Sequence, residues 1–317
     1  MHSFFDPIIA AQGLVILDGA LATELEARGA NLNHALWSAK LLAENPSLIQ
    51  KVHRDYLLAG ANVITTASYQ ASFLGFEKQG YTKQEAINFM QLSVSLALEV
   101  RDTYLQQLNK PLSVQPFIAA SIGPYGASLA DGSEYIGYKN ESVQTLIEFH
   151  KERLEVLANT QADILAFETI PCIDEAMAIK ELLINHPSKQ AWISFSCKDA
   201  LHLSSGELFE EAIKILEDSQ QIISVGVNCT APEHIESLIQ IAKPVTKKVI
   251  MVYPNKGETY NAINKEWQPL QGCAISYIDY ARKWQKAGAN AIGGCCRTSP
   301  SDIHQLQKLV IANNSLG

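Results

Sequence analysis

The sequence predicts an α/β fold, a single (β/α)8 barrel of the TIM type spanning residues 1–317. Eight short apolar, β-branched runs alternate with longer segments of helical periodicity. The runs are almost continuously apolar, as strands of a parallel sheet covered by helices must be. A chain of 317 residues, 47% apolar, also matches the size of one such barrel. A doubly wound sheet is the alternative. It would favour a Gly-x-Gly-x-x-Gly turn after the first strand, where Asp18-Gly19-Ala20 stands instead.

The expected strands, in order, are 14–18 (LVILD), 62–67 (NVITTA), 117–122 (FIAASI), 164–168 (ILAFE), 191–196 (AWISFS), 222–228 (IISVGVN), 249–253 (VIMVY) and 289–294 (ANAIGG). Between the first two, residues 46–60 read as a helix with an apolar stripe, opened by Pro46 and stopped by Gly60. The tetrapeptide Ala-Gly-Ala-Asn occurs at 59–62 and again at 287–290, each time between an amphipathic helix and a strand. It marks a recurring helix-to-strand turn. The segment 123–137, rich in Gly, Ser and Tyr, is too long for an ordinary connection and is expected to be a loop over the active face.

A net charge of −8 without a basic stripe argues against nucleic acid or an anionic membrane surface as partner. No apolar run reaches the length of a membrane span, and the N-terminal residues lack a signal-peptide pattern, so a cytoplasmic protein is expected. Six cysteines in a large chain of this kind point to reduced thiols, catalysis or metal binding. Cys172, Cys197 and Cys273 show no pattern and read as packing residues. Oligomeric state is not legible.

A barrel places its chemistry at the C-terminal ends of the strands. Cys229 follows the sixth strand, and Cys295 and Cys296 follow the eighth, so three thiols distant in sequence are expected on one face. Thiolate is a ligand zinc prefers, and three protein ligands leave a fourth position open, the catalytic pattern. A disulfide between the adjacent Cys295 and Cys296 would be strained and is the weaker reading. Three thiolates make zinc a poor activator of water, but they suit a substrate thiol, which loses its proton on entering the fourth position and becomes a nucleophile. Alkyl transfer to sulfur is the reaction expected.

Two carboxylates at strand ends, Asp18 and Glu168, are placed to hold the ammonium of an amino-acid substrate, and the backbone N–H groups of Gly19 and Ala20 its carboxylate. Asp18 alone also reads as a helix cap. Trp37, Tyr69, Tyr125 and Tyr135 can form an aromatic face for a sulfonium or quaternary ammonium donor, with ordinary packing the alternative for each. Asn255 either pins the turn after Pro254 or orients a substrate.

The segments Leu17-Asp18-Gly19-Ala20-Leu21-Ala22-Thr23-Glu24-Leu25, Thr66-Ala67-Ser68-Tyr69-Gln70-Ala71, Ser121-Ile122-Gly123-Pro124-Tyr125-Gly126, Gly226-Val227-Asn228-Cys229, Val252-Tyr253-Pro254-Asn255 and Gly293-Gly294-Cys295-Cys296-Arg297 resemble those of the zinc-dependent homocysteine S-methyltransferases. The stretch Ala130-Asp131-Gly132-Ser133-Glu134-Tyr135 and the segment around Trp37 most resemble the branch that uses S-methylmethionine, and in part S-adenosylmethionine. The resemblance runs from end to end of the chain. It implies a barrel, zinc on Cys229, Cys295 and Cys296, and homocysteine held through Asp18 and Glu168. A betaine-preferring methyltransferase with the same metal site is the first alternative. A non-catalytic zinc or thiol protein with a closed cysteine site is the second.

Overall fold

The computed structural model describes residues 3–138, 141–257, 259–261, 266–268 and 276–314. Eight parallel strands form one sheet in the order β1, β10, β7, β6, β5, β4, β3, β2. Their ranges are Val15–Ile16 (β1), Val63–Thr65 (β2), Phe117–Ile122 (β3), Ile164–Ile170 (β4), Ala191–Phe195 (β5), Ile222–Asn228 (β6), Val249–Tyr253 (β7) and Ala291–Ile292 (β10). A parallel bridge between Leu17 and Val63 joins the outer strands. There the Asp18 N–H donates to Val63 O at 3.1 Å and the Asn62 N–H to Ile16 O at 2.7 Å. The sheet is therefore a barrel, and the doubly wound alternative falls.

All eight expected strands form, with informative differences in length. β1, β2 and β10 are shorter than expected, because their C-terminal residues leave the ladder to build the mouth of the barrel. Asp18, for example, turns its carboxylate onto the Thr65 N–H at 2.8 Å. β4 is longer, and its register against β5 shifts between Phe167 and Ile170. Thr169 at that irregularity has φ 62°. Such an extra residue re-aims a side chain, here Glu168, at the barrel mouth.

The barrel interior is packed with alternate residues of its strands, among them Val15, Val63, Ala119, Ile164, Ala166, Trp192 and Met251. The N-terminal helix Asp6–Gln12, which the sequence reading did not single out, belongs to this cluster through Phe5 and Ile8. Phe5 is fully buried, its ring centroid 6.2 Å from that of Trp192, and the Phe4 N–H donates to Gln190 Oε1 just before β5. The N-terminal segment thus covers the bottom of the barrel and leaves the opposite end for chemistry. Outside, the helix Pro46–Ala59 buries Ile49, Val52, Tyr56 and Leu57 against the sheet and ends at Gly60, whose φ of 98° needs glycine.

After β7 an antiparallel hairpin of Thr259–Asn261 (β8) and Glu266–Gln268 (β9) precedes the helix Tyr277–Ala287. Cys273 lies outside the described residues. Cys172 and Cys197 are buried, and burial pushes the Cys172 thiol up to about 12, as expected of packing residues. No helix among the described residues is long and apolar enough to cross a membrane.

Candidate metal centre and active site

β6 ends at Asn228, and Cys229 then takes a left-handed conformation with φ 47°. That conformation costs a non-glycine residue about 1–2 kcal/mol, so the surroundings must hold it. They do so by hydrogen bonding the residues on either side. Asn228 Oδ1 accepts from the Thr169 N–H at 2.7 Å and its Nδ2 donates to Thr169 Oγ1 at 2.8 Å, which ties the end of β6 to the bulge of β4. Thr230 Oγ1 accepts from the Cys197 N–H at 3.0 Å, and Thr230 O accepts from the Asn255 N–H at 3.1 Å.

The second half of the site follows β10. Gly293 and Gly294 lie where a side chain has no room. A Cβ on Gly293 would sit 2.5 Å from Leu17 Cβ, and one on Gly294 2.3 Å from Thr298 Oγ1. This close approach lets the Gly294 N–H reach Asp18 O at 3.0 Å and brings the cysteine pair over the barrel. The Cys295 N–H donates to Pro254 O at 2.8 Å, Cys296 O accepts from the Lys256 N–H at 3.1 Å, and Thr298 Oγ1 donates to Cys295 O at 2.6 Å. Both cysteines are held through their backbones, which leaves the sulfurs for a ligand.

The sulfurs of Cys229, Cys295 and Cys296 all lie within 4.8 Å of one another, with Cys229 Sγ 2.6 Å from Cys295 Sγ. Among the described residues this is the one group of three or more His, Cys, Asp or Glu that can hold a metal ion. The Cys229 and Cys296 thiols beside Cys295 hold its thiol well below the usual range, while Cys229 itself is pushed well up. One sulfur already favours the thiolate that a metal requires.

Asp18 and Glu168 meet at the same mouth. Asp18 accepts from the Thr65 N–H and, at 3.0 Å, from Thr65 Oγ1; Glu168 Oε2 accepts from Ser121 Oγ. Burial raises the Asp18 carboxyl well above its ordinary range, against the Thr65 hydrogen bonds and with help from the Glu168 charge. Burial likewise pushes Glu168 up to about 7, opposed by the Ser121 and Tyr253 hydroxyls and aided by the Cys295 charge. The Tyr253 hydroxyl is fixed by Ser194 Oγ and by Trp192 Nε1, which donates at 3.0 Å. Among the described residues neither carboxylate ion-pairs with a lysine or arginine. Two buried, mutually repelling carboxyl groups without a cation are costly to charge, a cost that a cationic ligand would relieve.

Other expected residues divide. Trp37, with φ 46°, packs edge-on against Tyr69 at 6.0 Å between ring centroids, and the Tyr69 hydroxyl reaches Thr169 and the field of Cys229 and Cys295. Tyr135 brings its hydroxyl end inward to Cys229 and Cys296 although the residue as a whole is 38% exposed. Tyr125 does not join them. Its ring packs edge-on against Tyr138 and Phe149 and its N–H donates to buried Glu175, so it is a packing residue. Ala20 is also corrected: its N–H already donates to Thr298 Oγ1 at 3.2 Å and starts a helix of only seven residues, Leu21–Ala27, which leaves it no free hydrogen for a substrate carboxylate. Gly19 also has to be small, since a Cβ there would lie 2.9 Å from Thr298 Oγ1 and from the Tyr56 hydroxyl. Asn255 pins the loop through its backbone, and its buried Oδ1 has no hydrogen-bond partner among the described residues. Ser121, Thr65, Thr298 and Glu134 were not singled out as site residues in the sequence, although Ser121 and Glu134 lie in segments that carry the family resemblance and Thr65 lies in an expected strand.

A family model described as homocysteine S-methyltransferase matches residues 15–310. A homocysteine S-methyltransferase of Bacillus subtilis is 50% identical over 303 residues, covering 94% of this chain and 95% of that protein. A selenocysteine Se-methyltransferase of Brassica oleracea is 45% identical, covering 96% and 91%. The crystal structure of the homocysteine methyltransferase MmuM from Escherichia coli in its metallated form superposes with a TM-score of 0.86 at 41% identity, covering 96% of this chain and 99% of that one. On the match of fold, site and sequence along almost its full length, this chain belongs to the homocysteine S-methyltransferase family.

Proposed function

We propose that this single barrel transfers a methyl group from a sulfonium amino acid, S-methylmethionine foremost and S-adenosylmethionine second, to the sulfur of homocysteine, with zinc held by Cys229, Cys295 and Cys296. The observation that carries the reading is the convergence of three thiols, with no fourth candidate ligand in their group among the described residues, beside two buried carboxylates. The donor set fits zinc, since soft thiolates at strand ends with an open position are what a catalytic zinc takes. Zinc bound there would supply the charge that keeps an incoming thiol deprotonated at neutral pH.

The chain's own residues align the reactants. Asp18 and Glu168 take the ammonium of homocysteine, which directs its sulfur toward the three cysteines. Tyr69, Trp37 and Tyr135 line the approach of the sulfonium, whose charge the ring faces attract. The homocysteine sulfur attacks the methyl carbon as the bond from that carbon to the donor sulfur breaks. The bonding pair stays on the departing sulfur, which becomes a neutral thioether. From S-methylmethionine both products are methionine, and the thiol proton passes to solvent before transfer. A sulfonium leaves without protonation, so no general acid is needed and catalysis rests on alignment. Among the described residues the thiol group holds no fourth ligand, which favours an open site over a closed, non-catalytic one.

The test is methionine formation from homocysteine by zinc-loaded protein with S-methylmethionine, S-adenosylmethionine and betaine side by side. Chelator-sensitive turnover with S-methylmethionine is the expected result; none with any donor, despite bound zinc, would refute the reading. Selenocysteine, named for the Brassica relative, belongs in the same assay as an acceptor. The pH dependence follows from Glu168, whose raised position near 7 leaves it protonated below that pH and charged above. Because only the charged form holds an ammonium, kcat/KM for homocysteine is expected to rise through about pH 7. Glu168→Gln should lower kcat/KM and remove that rise, and a variant with an unchanged pH profile would show that Glu168 does not bind the substrate.

A further inference from the structure

Resting on the methyl-transfer reading, we propose that Glu134 is the specificity residue for the donor, and that its carboxylate holds the α-ammonium of a sulfonium amino acid. Glu134 lies in the short turn Ser133–Tyr135 of the loop over the barrel mouth. Its Oε2 is buried and has no hydrogen-bond partner among the described residues. The carboxylate lies within electrostatic reach of Tyr69 and Tyr135, the two phenols that also sense Cys229. It therefore belongs to the same mouth as the thiols and is distinct from the Asp18 and Glu168 pair. A buried carboxylate oxygen left without a partner is costly unless a ligand supplies the hydrogen bond.

The turn is held as a binding element should be. Glu134 O accepts from Ser196 Oγ at 2.8 Å, just beyond β5, and Ser196 Oγ accepts from Ser204 Oγ at 2.9 Å. Asp131 Oδ1 accepts from the Ser133 N–H at 3.0 Å. A Cβ on Gly126 would lie 2.6 Å from Glu134 N, so the preceding helix Tyr125–Leu129 is packed directly against this turn. At the loop's two ends, the Tyr125 N–H and the Tyr138 hydroxyl both donate to the buried Glu175, which His150 also contacts. The position of Glu134 is set before any ligand arrives, which reduces the ordering cost of binding.

The reaction itself decides which donor charge Glu134 takes. The sulfonium charge vanishes as the methyl moves, so a carboxylate on the sulfur would stabilise reactants more than the transition state and slow the step. The α-ammonium, on the α-carbon two methylenes away from the sulfur, keeps its charge throughout. An aromatic face suits the disappearing charge and a carboxylate suits the lasting one. Betaine carries a quaternary nitrogen with no N–H to give, so Glu134 also selects against it.

The test compares S-methylmethionine with dimethylsulfoniopropionate, a sulfonium without an α-ammonium, in the wild type and in Glu134→Gln. The variant is expected to raise KM for S-methylmethionine by about 10- to 100-fold, the range for a hydrogen bond to a charged group, with kcat and the homocysteine KM little changed. Its kcat/KM for dimethylsulfoniopropionate should match the wild type, and Glu134→Asp should recover part of the loss. An unchanged KM for S-methylmethionine, or an equal loss with both donors, overturns the proposal. Calorimetric binding of S-methylmethionine in the absence of homocysteine is the second readout: a wild type that binds it more than tenfold tighter than Glu134→Gln but forms no methionine would refute methyl transfer and uphold this assignment.

Discussion

Replacing Cys296 with serine is expected to abolish metal retention and turnover together. The three sulfurs converge within 4.8 Å, and among the described residues their group holds no spare ligand to compensate. Zinc in four-ligand sites binds with about 10–16 kcal/mol, so one thiolate accounts for roughly 3–4 kcal/mol, or two to three orders of magnitude in affinity. A serine hydroxyl is a poor, hard substitute that stays protonated at neutral pH. The fold should survive, because Cys296 is held at the surface of the mouth through its backbone carbonyl and buries no apolar core. Metal content measured after gel filtration, circular dichroism and the rate of methionine formation check the three parts. Stoichiometric metal at full rate in the variant would overturn the ligand assignment. Cys172→Ala is the control, since that thiol is buried away from the group and should leave metal content unchanged.

Gly226→Ala is expected to be the most damaging of the glycine-to-alanine changes among the described residues. Gly226 lies in the middle of β6, paired with Met251 of β7. A Cβ at Gly226 would fall 1.7 Å from Met251 O and 2.7 Å from Met251 C, both backbone atoms that cannot rotate away. The strands would have to separate next to Cys229, at a cost on the order of 4 kcal/mol or more, a large part of the stability of an ordinary domain. Insoluble protein, or a Tm lowered by several degrees with loss of bound metal, is the outcome expected from thermal unfolding. A wild-type Tm would show that the approach of β6 and β7 is not tight. Gly29→Ala provides the comparison: nothing lies within 4 Å of its added Cβ, and only its φ of 89° opposes substitution, so the loss should be about 1–2 kcal/mol.

These two expectations differ in how far the sequence alone leads to them. The cysteines were legible because a barrel brings every strand's C-terminal end to one face, so residues separated by some sixty positions become neighbours by topology alone. The same rule pointed to Glu168, and it works without knowledge of any side-chain contact. Gly226 is silent in the sequence, where it reads as one more residue in an apolar strand. Its importance comes from the Met251 carbonyl on another strand, a partner that no local pattern encodes.

The sequence by itself determined the eight alternating units, the barrel they close into, the net negative charge and the strand ends that carry Asp18, Glu168, Cys229, Cys295 and Cys296. Periodicity and length decide these, and both are properties of a single chain segment. Tertiary structure alone decided how those residues are used. It placed Thr298 against the Ala20 N–H, turned Tyr125 away into packing with Tyr138 and Phe149, and inserted the irregularity that aims Glu168. It also left Glu134 Oε2 buried at the mouth without a hydrogen-bond partner among the described residues. Each of these depends on which distant atom occupies a given hydrogen-bonding or van der Waals position. Short-range hydrophobic patterning carries no information about that choice, because it is made only when the strands and loops have packed against one another.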